Sequence, residues 1–305
     1  MTAFCILPND QYFMYYLLFI LTFLLSLLPL RCLYVLSDFC FLILFHILGY
    51  RKKIVAGNLH FAFPEKSIAE RNMLMRQFYR SFCDQWVETL KLMSLSPKKI
   101  KQRFPGNWPV FEQAAHSGNG SVLVMMGHQF NWEWGNLATP LNFSGQYAGI
   151  YLPVSAKAVD RLMLYIRKRT GALLIPANDL RDGFSKLNPE KYILAFIADQ
   201  SPGDMLHAHW HSFMNRPAPF LRGPEKVARR QQAAVVFVGL RKIKRGQYEL
   251  YGEQVCSNAR ELPAGLLITK YVAFLEKELR AQPANWMWTH RRWKRTPPES
   301  WLKNK

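Results

Sequence analysis

Between Tyr12 and Leu30 the chain runs 19 residues without a charge, interrupted only by Thr22, Ser26 and Pro29. Nothing else in the sequence constrains the fold as strongly, because an uncharged run of this length is about what a helix needs to cross a bilayer. No lysine or arginine precedes Arg31, whereas Arg31, Arg51, Lys52 and Lys53 follow. The positive-inside bias therefore predicts a single crossing, with the N-terminus outside and the rest of the chain in the cytoplasm. A cleaved signal peptide would carry basic residues ahead of its apolar run, and this run has none. The next apolar stretch, Leu33–Tyr50, is interrupted by Ser37, Asp38 and His46. A second crossing would put the cluster Arg51–Lys53 on the wrong face. This stretch is expected to lie at the membrane interface or to pack on the folded domain.

The organisation predicted is a transmembrane anchor over 1–31, interfacial and amphipathic helices over 32–97, and an α/β domain over 98–305. Ser67 and Glu70 are spaced as a capping box. Met73, Met75, Phe78, Phe82, Trp86, Leu90 and Met93 then recur at roughly helical spacing until Pro97. That stripe is either core packing or the wall of a groove for an acyl chain; spacing does not separate the two. Strands are predicted at Val122–Met126, Tyr147–Tyr151, Leu173–Ile175, Tyr192–Ala198, Ala234–Leu240 and Tyr248–Tyr251. Helices are predicted between them: from about Ala156, capped by Ser155, to Arg169; over Asp179–Lys186; from Pro224 to about Gln231; and over Leu266–Arg280. Such alternation implies an α/β fold, a central mixed sheet flanked by helices.

Lysine and arginine number 40 against 21 acidic residues, a net charge of +19. A field of this sign suits anionic partners: nucleic acid, an acidic carrier protein or phospholipid headgroups. The basic residues are scattered and no nucleic-acid recognition motif is present, so nucleic acid is not expected. Cys5, Cys32, Cys40, Cys83 and Cys256 show no metal or redox spacing, which fits a reduced compartment. His207, His209 and His211 alternate as three ligands on one strand face would. Pro202, Gly203 and Pro217 around them suggest a loop instead, and no metal or other cofactor is expected.

The chemistry centres on SVLVMMGHQFNWEWGNLA at Ser121–Ala138. An apolar strand stops at Gly127, His128 follows at once, and Glu133 comes five residues later. On one continuous helix, residues five apart point about 140° away from each other. The two side chains can meet only if His128 sits on a strand-to-helix loop and Asn131 caps a helix whose first turn carries Glu133. A His–carboxylate pair is then expected at the carboxyl end of a strand, where open α/β sheets place their chemistry. There His128 is a general base for a hydroxyl, and Glu133 fixes its tautomer and stabilises the imidazolium.

The His-x4-Glu element resembles the acid/base motif of the membrane acyltransferases. Further stretches resemble one branch, the lipid A biosynthesis (lauroyl/myristoyl) acyltransferases. They are GYRKKIVAGNLHFAFPE at Gly49–Glu65, DRLMLYIRKRTG at Asp160–Gly171, IADQ at Ile197–Gln200 and WMWTHRRWK at Trp286–Lys294. The similarity runs in the same order from about residue 12 to 295. It departs at Tyr151-Leu152-Pro153, where the family often has Tyr-Arg-Pro, and over His207–Pro219. The resemblance implies a glycerolphosphate acyltransferase-like fold on the bacterial inner (cytoplasmic) membrane. It also implies acyl-acyl carrier protein as donor and a lipid A precursor, an anionic glycolipid, as acceptor; another amino- or glycolipid is the runner-up. It makes Arg167 and Asp199 substrate-binding candidates. His290, Arg291 and Arg292, set among Trp286, Trp288 and Trp293, are expected to meet anionic headgroups. A non-catalytic membrane scaffold would leave the His–Glu spacing a coincidence.

Overall fold

The computed structural model describes residues 9–303, apart from 204, 206 and 207. The N-terminal third is helical: α1 (Asn9–Leu27), α2 (Leu30–Leu42, continued by a π-helical turn over Ile43–Ile47), α3 (Lys52–Ala62), α4 (Ile68–Lys91) and α5 (Pro97–Arg103). The first two meet at Pro29, whose missing N–H a helix tolerates only at its start. Length and composition sort these helices differently from the sequence reading. Leu30–Ile47 is long and apolar enough to cross a membrane, and the apolar part of α1, Tyr12–Leu27, is shorter. Neither stands clear of the domain: α1 runs along a later helix (Lys157–Lys168) and α2 along α4.

The capping box at the start of α4 is present. Ser67 Oγ accepts from the Glu70 amide at 3.2 Å, and Glu70 Oε2 accepts from the Ser67 amide at 2.7 Å. The Met and aromatic stripe of α4 is core packing at Met75, Phe78 and Phe82, while Met73 and Trp86 are exposed.

The remaining chain alternates as expected. After α6 (Pro109–Ser117) come β1 (Ser121–Met126), α7 (Trp132–Asn142), β2 (Gln146–Tyr151), α8 (Lys157–Lys168), β3 (Leu173–Pro176), α9 (Leu180–Ser185) and β4 (Tyr192–Ile197). Then follow β5 (Ala208–Phe213), β6 (Arg216–Leu221), α10 (Gly223–Arg230), β7 (Ala234–Lys244), β8 (Gln247–Cys256) and α11 (Leu266–Ala281). Six strands form one sheet in the order β3-β2-β4-β1-β7-β8, and only β8 is antiparallel to its neighbour. All six residues of β1 are buried, as a central strand covered on both faces requires.

Two local expectations change. The stretch around His209 and His211 is a strand, not a loop. It pairs with β6 in a separate two-stranded hairpin in which Pro217 and Pro219 face Ser212 and Trp210. Prolines fit there because each strand of a two-stranded ribbon keeps one edge unpaired. His207 lies outside the described residues. Helix α8 starts at Lys157 after Ala156, with no side-chain cap from Ser155.

Candidate active site

Strand order builds the site. Parallel β1 and β4 are neighbours, with Met126 in register with Ile197. His128 and Asp199 each lie two residues beyond those partners, so they leave adjacent strands at the same height. His128 Nδ1 lies 2.5 Å from Asp199 Oδ1, and the His128 amide donates to Asp199 Oδ2 at 2.7 Å. Gly127 permits this closeness: a Cβ there would lie 3.2 Å from Asp199 Oδ2 and 2.7 Å from Leu275 Cδ1.

Asp199 is buried, and burial by itself would raise its pKa. The His128 charge and hydrogen bonds, helped by the indole N–H of Trp286 at 2.5 Å, outweigh this and hold it below the ordinary carboxylate range. An ionised Asp199 accepts from Nδ1–H, which leaves His128 Nε2 as the basic nitrogen. The Gln200 side-chain amide nitrogen lies 3.3 Å from it.

The pairing of His128 with Glu133 expected from their spacing does not form. Asn131 does stand at the N-cap position of α7, but its side chain donates to buried Glu88 at 3.0 Å instead of capping the helix. Glu133 occupies the first turn of α7 and turns to Arg167 of α8. Arg167 Nε donates to Glu133 Oε2 at 2.9 Å and its Nη2 to Oε1 at 2.5 Å, a two-pronged contact. Burial would lower the Arg167 pKa, and the Glu133 bonds raise it beyond that loss, so the guanidinium stays charged. Trp132 stands between the two carboxylates. Its Nε1 donates to Glu133 at 3.1 Å and its ring meets the His128 ring edge-on at 5.3 Å.

His128, Glu133 and Arg167 line one cavity of about 580 Å³, within the usual size range of ligand sites. Much of the remaining wall is apolar, including Tyr147, Ile150 and Leu174. A histidine oriented by a carboxylate, a fixed cation and an apolar recess suit a reaction that takes a proton from a polar group while a hydrocarbon chain is held alongside.

Much of the C-terminal motif is buried behind the dyad. Trp286 and Trp288 are buried, so they are not interfacial anchors. Arg292 is fully buried, with its guanidinium 4.3 Å from the Phe220 ring centre and 3.2 Å from Ser201 Oγ. Burial lowers its pKa to about 10, and in this position it does not reach a headgroup. His290 is half-buried with its pKa lowered to about 4 by burial, and Arg291 is exposed. The motif holds the dyad instead: the Met287 amide donates to the His128 carbonyl at 3.1 Å. Asn58 of α3 in turn donates to the carbonyls of Trp288 at 2.8 Å and His290 at 2.9 Å. Asn58 and Trp286 were visible only as members of two distant motifs; no local spacing signals that one supports the other.

Two relatives have chains similar to this one. The lipid A biosynthesis palmitoleoyltransferase of Escherichia coli (strain K12) is 24% identical over 252 residues, covering 81% of this chain and 80% of the relative. The lipid A biosynthesis acyltransferase of Shigella flexneri matches with the same identity and coverage. Residues 7–295 match the family described as bacterial lipid A biosynthesis acyltransferase. With nearly its whole length inside that match, the chain belongs to the bacterial lipid A biosynthesis acyltransferase family.

Proposed function

We propose that this acyltransferase moves a fatty acyl chain from acyl-acyl carrier protein to a hydroxyl of a lipid A precursor, on the cytoplasmic side of the inner membrane. The observation that carries the mechanism is the 2.5 Å contact between His128 Nδ1 and Asp199, in a histidine that lines the cavity. His128 Nε2 takes the acceptor hydroxyl proton as the oxygen attacks the thioester carbonyl carbon. The tetrahedral intermediate then expels the carrier thiolate, which receives that proton from the imidazolium. Asp199 orients the ring and stabilises its cationic form, the part played by the carboxylate of a Ser-His-Asp triad. Arg167, fixed by Glu133, presents a permanent cation to a phosphate or to the developing oxyanion. The apolar recess takes the acyl chain.

The +19 charge supports two anionic substrates, and the basic residues beside the apolar helices support an anionic membrane face. His128→Ala is expected to lower acyl transfer to the lipid acceptor by roughly 10²–10⁴-fold, the usual worth of a general base. Near-normal transfer by the purified variant would rule the mechanism out. Offering acyl-acyl carrier protein and acyl-coenzyme A side by side tests the donor. Mass spectrometry of membrane lipids with and without the protein identifies the acceptor.

A further inference from the structure

Polar side chains lie along both apolar helices at levels where a bilayer-spanning helix would be surrounded by hydrocarbon. On α1, the Arg161 guanidinium sits 5.5 Å from the Tyr12 ring centre and 4.4 Å from that of Tyr15. At the other end, Lys91 Nζ donates to the carbonyls of Ser26 at 2.7 Å and Leu28 at 2.9 Å. Tyr12 and Ser26 are ~21 Å apart along a helix at 1.5 Å per residue. A hydrocarbon core is ~30 Å thick. An upright α1 would therefore draw Arg161, Lys91 or both into the core.

The case against α2 is stronger. Ser37 and Asp38 fall near the middle of Leu30–Ile47. Ser37 donates to Asp84 at 2.8 Å, and Asp38 accepts from Arg245 at 2.6 Å. Arg245 and Lys242 also pair with Asp84, at 2.7 and 3.2 Å. Crossing in this docked state would place a four-charge cluster near the bilayer centre, where ionised groups are strongly disfavoured.

The opposite faces of the same helices are bare and apolar. Phe13, Leu17, Ile20 and Leu24 of α1 are exposed in one stripe, as are Val35, Phe39 and Leu42 of α2. Tyr15, Phe19 and Ser26 turn the other way; Phe19 meets Tyr165 of α8 at 4.9 Å. Exposed apolar groups continue past α8, through Val159 and Tyr165, to Leu152 at the cavity wall. Exposed Arg31, Arg51, Lys53 and Lys157 lie at or just beyond the helix ends, where headgroups would be.

We infer that α1 and α2 lie in the plane of a single leaflet, forming a lipid-facing surface that neither crosses the bilayer nor leaves it. Its occupant is a leaflet containing anionic headgroups: acyl chains cover the leucine and phenylalanine stripes, and phosphates meet the flanking cations. This replaces the single crossing expected from the sequence. It rests on the membrane location proposed above and is independent of the chemistry at His128. A leaflet in this position runs up to the cavity mouth, so a membrane-embedded acceptor enters sideways without leaving the bilayer.

The test uses the full-length protein with its native cysteines replaced, except where one serves as reporter. Single reporters are Asn9→Cys at the start of α1, native Cys32 at the α1–α2 junction, and Gln113→Cys on the domain surface. A membrane-impermeant maleimide is applied to spheroplasts and to inside-out vesicles. The in-plane arrangement gives no labelling of any reporter from the periplasmic side, and labelling of Gln113→Cys in the vesicles. Labelling of Asn9→Cys from outside establishes a single crossing, and labelling of Cys32 establishes a membrane hairpin; either overturns the proposal.

A second experiment measures sedimentation of purified protein with vesicles of phosphatidylethanolamine and 30% phosphatidylglycerol. Replacing Arg31, Arg51 and Lys53 with glutamine is expected to weaken binding about fivefold per charge, and Leu17→Asp with Phe39→Asp to abolish it. Binding unchanged by all five substitutions overturns the lipid-facing surface. Failure of the unsubstituted protein to bind any vesicle would instead remove the membrane location itself.

Discussion

Two buried carboxylates each hold a side chain that lines one cavity, Asp199 holding His128 and Glu133 holding Arg167, and the proposed mechanism gives them different work. Asp199 is held by three donors, the His128 ring, the His128 amide and the Trp286 indole. Glu133 is held by the Arg167 guanidinium and the Trp132 indole. Asp199 has an imidazole as partner, a group that can gain and lose a proton in catalysis, so its charge can be felt when a proton moves. Glu133 has a partner that never titrates near neutrality, so its charge is spent on keeping Arg167 in place. Under the proposed mechanism the acid beside the histidine serves the reaction, and the acid beside the arginine serves the site's shape and charge.

The sharpest way to break this comparison is to neutralise each acid in turn. Asp199→Asn is expected to lower kcat by about 10³–10⁴-fold with KM little changed, because the amide favours the wrong histidine tautomer. Glu133→Gln leaves the half-buried Arg167 cation without its partner. It is expected to cost about 3–5 kcal/mol of stability, read from thermal unfolding in detergent, and to disturb acceptor KM more than kcat. If Glu133→Gln instead removes turnover while unfolding normally, and Asp199→Asn stays active, the roles are reversed.

Trp286→Phe keeps the ring and removes one donor to Asp199. A hydrogen bond to a charged group contributes about 1.5–3 kcal/mol, so a loss of roughly tenfold in kcat or more is expected. The carboxylate, left more basic, should hold the imidazolium more strongly and move the acid limb of the rate profile to higher pH. An unshifted limb would mean that the indole only fills space.

The smallest effects concern stability and pH. Asp199 has a folded pKa below its unfolded value, so its contribution is complete above about pH 4 and is lost as pH falls through the folded value. His290 is half-buried, and that burial lowers its folded pKa to about 4 against an ordinary 6.5. Its protonation opposes folding, and stability falls as pH drops from about 6.5 toward 4. His290→Gln should flatten that decline in unfolding scans between those values, and Asp199→Asn should flatten the steeper loss below it.

Much of the sheet was legible because buried strands announce themselves as short apolar runs: β1, β4 and β7 fall where the sequence places them. The β5–β6 hairpin was not legible, since its prolines and histidines carry no apolar alternation and its pairing is with itself. At the site, His128 was visible from Gly127 and the preceding strand. Its carboxylate was sought nearby at Glu133, whereas the structure supplies it 71 residues later at Asp199. The C-terminal motif was read as cationic and interfacial because charge and tryptophan are visible in a sequence and burial is not. Arg292 shows the error most plainly.

The sequence by itself determined most strands of the main sheet and the candidate base: an apolar strand, a glycine that lets the chain approach a neighbour, and a histidine at the strand's end. Local periodicity and side-chain chemistry suffice for that. Only the tertiary structure decided which acid the histidine meets, because strand order is set by which faces can be buried together. Parallel pairing of β1 with β4 brings residues 128 and 199 to the same height. It also decided how the apolar N-terminus is used. Hydropathy measures how much oil a helix carries, but the Asp38–Arg245–Asp84 cluster shows which side of the helix is already occupied by protein.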